Sequence, residues 1–308
     1  TLGVTVTMKY LKPKNLKEAL AMLGDNRGKG RIIAGGTDLM IQLRTAGGEA
    51  GPEVLIDLSD IQTLHGIVRE GACLLIGANV THAQAAASEL VRREAGARAQ
   101  ACAKVGGPQI RNVATVAGNI VSAQPAADAA VALAALDASC HITNCEGRER
   151  EIPLAEMYAG LGRSTVDSAS EILTSIRIPI SSSGHTVSGY QRLERRKALS
   201  LPVLGVAASL SLNDKGLISQ AAISVAPAGP APGRAGEIER WLIGRQPTPE
   251  ILAQAGLVCS SEVSFRSNPV RGSGEYRRKV LPVMLTRCLA EICLFYPFDA
   301  ADDPSLVR

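Results

Sequence analysis

Aromatic side chains are scarce in this sequence. They make up 3% of it, and tryptophan occurs once, as Trp241. Proteins that hold single-stranded nucleic acid stack its bases on aromatic platforms, so the composition argues against that class. Charge of one sign is lacking too. The 33 basic and 29 acidic residues leave a formal net charge of +4, too small an excess to mark a nucleic-acid surface. No run of about 18 uninterrupted apolar residues occurs, so no membrane span is expected. Histidine is limited to His65, His82, His141 and His185, scattered without metal-ligand spacing, and each is expected to be structural or on the surface. Cysteine occurs as Cys73, Cys102, Cys140, Cys145, Cys259, Cys288 and Cys293, an odd number with no CxxC. The pairs Cys140/Cys145 and Cys288/Cys293 do not match the common zinc or iron–sulfur runs. The thiols read as buried or incidental in a reducing cytoplasm, and no disulfide framework, metal ligand or catalytic nucleophile is expected.

What is present fits a globular protein of two domains: 308 residues, 46% hydrophobic and 20% charged. Met8 opens MKYLKPKNLKEALAML and reads as a natural start; residues 1–7 lack the charged-then-apolar plan of a secretion signal. Asn15 with Glu18 three residues on gives a box-like helix start, and Leu16, Ala19, Leu20 and Leu23 fall on one face, so a helix is expected over 15–23. A strand at 31–34, a short helix at 37–44 and the strand VLID (54–57) follow. TLHGIVREGACLLIGANV (63–80) reads as two strands joined at Arg69-Glu70-Gly71, and Thr81 as the cap of a helix, with another at 88–104. Residues 105–128 have no clean period; an Ala-rich helix (127–136) and strands near 138–143, 148–152 and 171–180 come next. SSSG (181–184) is the linker candidate. Beyond it, 186–194, 203–212 and 217–226 read as three strands, the last two joined at Asn213-Asp214-Lys215-Gly216, with helices near 234–244, 248–263 and 276–294. The C-terminal part is thus expected to be a small antiparallel three-stranded sheet with helices.

Two glycine segments carry the chemistry. In IIAGGTDLMIQLR (32–44) a strand hands over to a helix through AGGTD. That serves as an ordinary turn and cap, or as backbone amides converging on a phosphate, with Thr37 adding a hydroxyl. It is neither GxGxxG nor the Walker pattern. In ATVAGNIVSAQPAAD (114–128), Thr115, Asn119, Ser122 and Asp128 offer donors and acceptors along a slim chain. An extended polyhydroxyl diphosphate would be served by them; equally, Ser122 or Asp128 would cap the following helix. The basic segments RLERRKAL (192–199) and YRRKV (276–280) read as a solvated face, or as a surface for an acidic partner or a dinucleotide phosphate; Trp241 reads as core or helix packing.

The motifs IIAGGTDLMIQLR, LLIGANVTHAQ, VGGPQIRNVATVAGNIVSAQPAADAAVALAAL and EILTSIRIP, in this order, resemble the flavin-binding subunit of the molybdenum hydroxylases, the xanthine dehydrogenase and aerobic carbon monoxide dehydrogenase family. The resemblance runs from about Met8 to the C-terminus, and the ATVAGNI…AD block is its most specific part. It implies an α+β fold: a vanillyl-alcohol-oxidase-like (PCMH-type) FAD-binding domain over 8–180, with lobes at about 8–60 and 61–180, and a C-terminal domain over 185–308. It implies FAD, held by Ile33, Ala34, Gly35, Gly36, Thr37, Asp38 and Leu39 around the diphosphate. Ala114, Thr115, Gly118, Asn119 and Ser122 would line the ribityl and phosphate path, and Asp128 would hydrogen-bond ribityl or ribose hydroxyls. Ile172 or Leu173 would meet the pyrimidine edge, with Val105 and Gly106 near the cofactor.

It further implies molybdopterin in a large partner subunit and two [2Fe-2S] clusters in a small one. Electrons would pass through FAD to NAD+ or another acceptor, in a dimer of heterotrimers. Some members have an aromatic where this chain has Val105, and a lysine near Pro202, so neither role is carried over. The cysteine-rich insertion of some members is lacking. A stand-alone flavin oxidase of the same superfamily and a non-enzymatic nucleotide-binding module are the alternative readings. The first would call for an acid/base pair over the flavin, which the sequence does not offer.

Overall fold

The computed structural model describes residues 8–45, 51–180, 186–196, 199–265, 267–268 and 272–294. The expected extension 1–7, the linker 181–184, His185 and Lys197 lie outside the described residues.

The first lobe contains β1 (Lys9–Leu11), α1 (Leu16–Asp25), β2 (Gly30–Ile33), α2 (Leu39–Thr45) and β3 (Val54–Asp57). Its strands lie in the order β1-β3-β2, both pairs parallel. Central β3 is buried along its whole length, as a strand flanked on both sides must be. Asn15 caps α1 by accepting from the Glu18 amide at 2.9 Å, and Glu18 accepts from the Lys14 amide at 2.6 Å. Edge strand β1 was not expected from the sequence. Three residues, Lys9-Tyr10-Leu11, give too short a period to register, and the strand forms by pairing with β3.

The second lobe runs through β4 (Ile67–Glu70), β5 (Cys73–Gly77), α3 (His82–Ala87), α4 (Glu89–Glu94), α5 (Gly96–Lys104), α6 (Pro108–Val113), α7 (Val116–Val121) and α8 (Asp128–Ala135). It continues with β6 (Ser139–Asn144), β7 (Glu149–Pro153), β8 (Tyr158–Gly160), β9 (Arg163–Ser164) and β10 (Glu171–Pro179). Five antiparallel strands lie in the order β4-β5-β10-β6-β7. Thr81 and Gln84 form a full capping box on α3. The helix expected over 88–104 is two, broken at Ala95, whose φ of −147° leaves the helical region. At the break the chain runs against the next part of the molecule. A Cβ on Gly96 would come within 2.9 Å of the Ser188 carbonyl oxygen, and the Ala97 amide donates to Ser188 Oγ at 3.1 Å. Helix α8 is Ala-rich because it is enclosed: only Ala134 among its residues is less than fully buried.

The C-terminal part holds β11 (Thr186–Leu193), β12 (Leu204–Leu212), β13 (Ile218–Ala226), β14 (Gly233–Arg234), α9 (Gly236–Leu242), α10 (Pro249–Glu262) and α11 (Gly274–Leu294). Among the described residues its sheet has four strands, β11-β12-β13-β14, which corrects the expected three. The fourth is two residues long, and only its pairing with Ser224 and Val225 makes it a strand. Two apolar cores result. One lies under the five-stranded sheet and the α3–α8 helices and draws in Tyr190, Ala207 and Ala226; the other lies between β12–β13 and α9–α11. Trp241 sits at the edge of the second core with the Arg245 guanidinium 4.1 Å from its ring centre. Among the described residues no helix is long and apolar enough to cross a membrane.

Candidate cofactor site

A cavity of about 400 Å³ opens between the first lobe and the second. One wall is the turn from β2 to α2: Ile33, Ala34, Gly35, Gly36, Thr37, Asp38 and Leu39. The facing wall is Ala114, Thr115, Gly118, Asn119 and Ser122, around the start of α7. Val105 and the β10 residues Ile172 and Leu173 complete it. Segments 80 residues apart in sequence are therefore brought to one space, and contacts fix their spacing. The Ser122 hydroxyl donates to Asp38 Oδ2 at 2.6 Å, across 84 residues of sequence. Thr81 bridges to Thr115, and the amides of His82 and Val116 donate to Ala114 and Val80 carbonyls, each at 3.0 Å.

Glycine is required at the closest approach. A Cβ on Gly35 would stand 2.1 Å from the Val113 carbonyl oxygen, so only a bare backbone passes there. Gly36 follows with φ +67°, in the left-handed region. The amides of Ala34, Gly35, Gly36, Thr37 and Asp38 make no hydrogen bond to the described residues. They are a row of free donors at the mouth of the cavity.

Two expected site residues fall outside the lining, Gly106 and Asp128. Gly106 takes φ +47° behind Val105, and its carbonyl accepts from Arg111 at 3.1 Å. Asp128 is buried and already engaged. It accepts from the Tyr190 hydroxyl, and from Arg192 Nη1 at 2.9 Å. Burial pushes its pKa up, while Arg192 and Tyr190 oppose the shift. Arg192, whose side chain is 2% exposed, is thus no part of a solvated basic face. Nor is Arg277, which is buried and donates to the Val203 carbonyl at 2.8 Å. Of the four histidines, His65 and His141 make local hydrogen bonds at the surface, whereas His82 is fully buried on the cavity wall.

Comparison with known proteins decides the family. The FAD binding domain of molybdopterin dehydrogenases matches residues 6–181, and the CO dehydrogenase flavoprotein C-terminal domain matches 188–292. The chain belongs to this family of FAD-binding subunits. The carbon monoxide dehydrogenase medium chain of Hydrogenophaga pseudoflava is 30% identical, covering 91% of this chain and 95% of that one. The nicotinate dehydrogenase FAD-subunit of Eubacterium barkeri is 28% identical over 92% and 95%. Reconstituted CO dehydrogenase from Oligotropha carboxidovorans contains a chain that superposes with a TM-score of 0.83, at 28% identity over 92% of this chain and 97% of that one. The α+β reading holds, with the C-terminal sheet corrected to four strands.

The family's cofactor, FAD, can be tested against the residues present. It is a diphosphate on a polyhydroxyl tail, so it needs amide donors for its phosphates and acceptors for its hydroxyls. The free amides of 34–38 supply the first. Buried acceptor oxygens without partners among the described residues supply the second: Asn79 Oδ1 and Asn119 Oδ1, both in cavity-lining residues. A buried polar atom left without a partner costs about 1–3 kcal/mol, which a ligand in the cavity would offset. The residues fit the cofactor. Asn79 and His82 were missed in the sequence. They sit just before and just inside helix α3, where Thr81 and Gln84 give a capping signal and nothing local marks a binding wall. Arg31, Ser168 and Glu171 also line the cavity and were missed, because lining it depends on how β2 and β10 are set against each other.

Proposed function

We propose that this chain is the electron-transfer subunit of a molybdenum hydroxylase complex, receiving electrons from [2Fe-2S] clusters of a small partner subunit and passing them on to NAD+ or another acceptor. The molybdenum-binding large subunit would do the hydroxylation, in a dimer of heterotrimers. The single observation that carries the reading is the cavity formed where the 33–39 turn meets 114–122, with free amides on one side and orphaned acceptors on the other. FAD, when bound, supplies chemistry that accepts electrons singly and releases them in pairs.

The chain's own task is to bind and orient it. The amides of 34–38 would hold the diphosphate, and Gly35 and Gly36 give the backbone the room to approach. Asn119 Oδ1 would accept from ribityl hydroxyls. Ser122, whose hydroxyl donates to Asp38, fixes the width between the two walls. Thr115 Oγ1 is spent as the cap of α7, accepting from the Gly118 amide at 3.0 Å, so it would place backbone rather than lend a hydroxyl. Ile172 and Leu173, buried on β10, would present backbone to the pyrimidine edge beside Val105. Asp128 would act from behind, holding Tyr190 and Arg192 of β11 against the second lobe. The two apolar cores support a division into an FAD-binding domain at 8–180 and a C-terminal domain at 185–308. Seven free thiols support a reducing compartment, the cytoplasm.

The test is direct. The chain is purified with its co-purifying chains, the chromophore is released by heat and identified, and metals are assayed. FAD together with iron and molybdenum is the expected result. A colourless protein that does not take up FAD overturns the reading.

A further inference from the structure

Three buried side chains near the cavity are unusual. His82, on α3, lines the cavity, and its Nε2 has no partner among the described residues. Its Nδ1 lies 3.2 Å from Cys102 Sγ on α5, and both residues are fully buried. Arg98, one turn before Cys102 on α5, is also fully buried, and none of its three guanidinium nitrogens has a partner among the described residues. A cation taken out of water with no counter-charge is costly, and proteins seldom keep one without a use.

The protonation state follows from the surroundings. Burial lowers the His82 pKa to about 3, and the charges of Arg98 and Arg111 add to the effect, so the ring is neutral. A neutral imidazole has one donor and one acceptor. Nitrogen is the stronger acceptor and sulfur a weak one, so the Cys102 S–H donates to Nδ1. The ring proton is thereby fixed on Nε2, leaving an N–H with no acceptor among the described residues.

We propose that His82 is a cofactor-positioning donor whose tautomer is set by the Cys102 thiol, and that Arg98 behind it is a fixed cation favouring negative charge on the bound cofactor. This rests on FAD occupying the cavity. In that dry setting Arg98 polarises the His82 N–H and is little screened. An acceptor oxygen of the cofactor completes the donor, and electron gain is favoured over the oxidised state.

The test uses the full-length chain, stripped of FAD and titrated by flavin fluorescence, with the midpoint potential read by dye equilibration. His82→Phe is expected to weaken FAD binding about tenfold, and His82→Gln, which keeps an N–H, to restore most of it. Cys102→Ala is expected to weaken it less, and Cys102→Ser to match the parent. Arg98→Met keeps the bulk and removes the charge. It should lower the preference for the reduced form about tenfold, a shift of about 30 mV to more negative potential, without lowering the melting temperature. For parent apoprotein, ¹⁵N-histidine NMR should give the Nε2–H tautomer and a shift on FAD addition, a readout that needs no variant to fold. Equal FAD affinity in His82→Phe, an unmoved potential in Arg98→Met, or the opposite tautomer overturns the proposal. If the parent itself binds no FAD, the functional reading fails instead.

Discussion

Replacing Gly35 by alanine tests the geometry that the cofactor site depends on. The added Cβ would stand 2.1 Å from the Val113 carbonyl oxygen, 2.7 Å from its carbon and 2.8 Å from Ala114 Cα. A carbon–oxygen contact of this kind relaxes at roughly 3.3 Å, so the 33–39 turn and the end of α6 must part by about 1 Å. Both sides are backbone, so no side chain can swing away. Overpacking costs about 1–3 kcal/mol, and this site belongs at the upper end. At roughly 2–4 °C per kcal/mol for a large domain, the melting temperature should fall about 6–12 °C. The two walls that would grip FAD are the ones displaced, so its Kd should rise about ten- to a hundredfold.

Gly28→Ala is the control. Gly28 has φ +78° with nothing within 4 Å of its Cβ position, so only the left-handed backbone is penalised, by about 1–2 kcal/mol, and FAD binding is unchanged. Differential scanning fluorimetry and flavin fluorescence titration on the two variants separate the effects. A Gly35→Ala protein with parental melting temperature and parental FAD affinity would refute the reasoning.

Further expectations follow from the same contacts. Folded His82 has a pKa of about 3 against an unfolded value of 6.5. The unfolded chain therefore binds the proton first, and stability present above pH 6.5 is lost as pH falls toward 3, by about 1.4 kcal/mol per pH unit from this group. Urea midpoints for parent and His82→Gln should thus converge on acidification; parallel curves would count against a neutral buried ring. Asp128→Asn removes one of the two carboxylates paired with Arg192, whose side chain is 2% exposed, and leaves Glu194 at 3.2 Å, so it should cost about 1–3 kcal/mol in urea denaturation. Thr81→Ala removes the cap of α3 and should cost about 1 kcal/mol, seen as a small fall in melting temperature with the midpoint potential unchanged.

Local signals in the sequence served well where the structure is local. The Asn15 and Thr81 caps, the Asn213–Gly216 turn and the alternation of β10 all act within a few residues. The break at Ala95 was not legible, since it is imposed by Ser188 from another part of the molecule. Nor was the two-residue strand β14, which exists only through pairing. In the site, the glycine turn and the 114–122 segment were legible because their run of glycines and small residues stands out in the sequence itself. Asn79 and His82 were not, since any buried helix start would tolerate them.

By itself the sequence determined most of the longer helices and strands, the two slim segments and the family, because caps, periodicity and glycine act over short range and leave a mark in composition. Only the tertiary structure decided which side chains face the cavity and which are spent elsewhere. Asp128 is drawn away by Tyr190 and Arg192, 62 and 64 residues distant, and His82 is turned to Cys102, 20 residues on. A carboxylate or an imidazole binds whichever partner lies nearest in space, and that distance is set by how the sheets and helices pack.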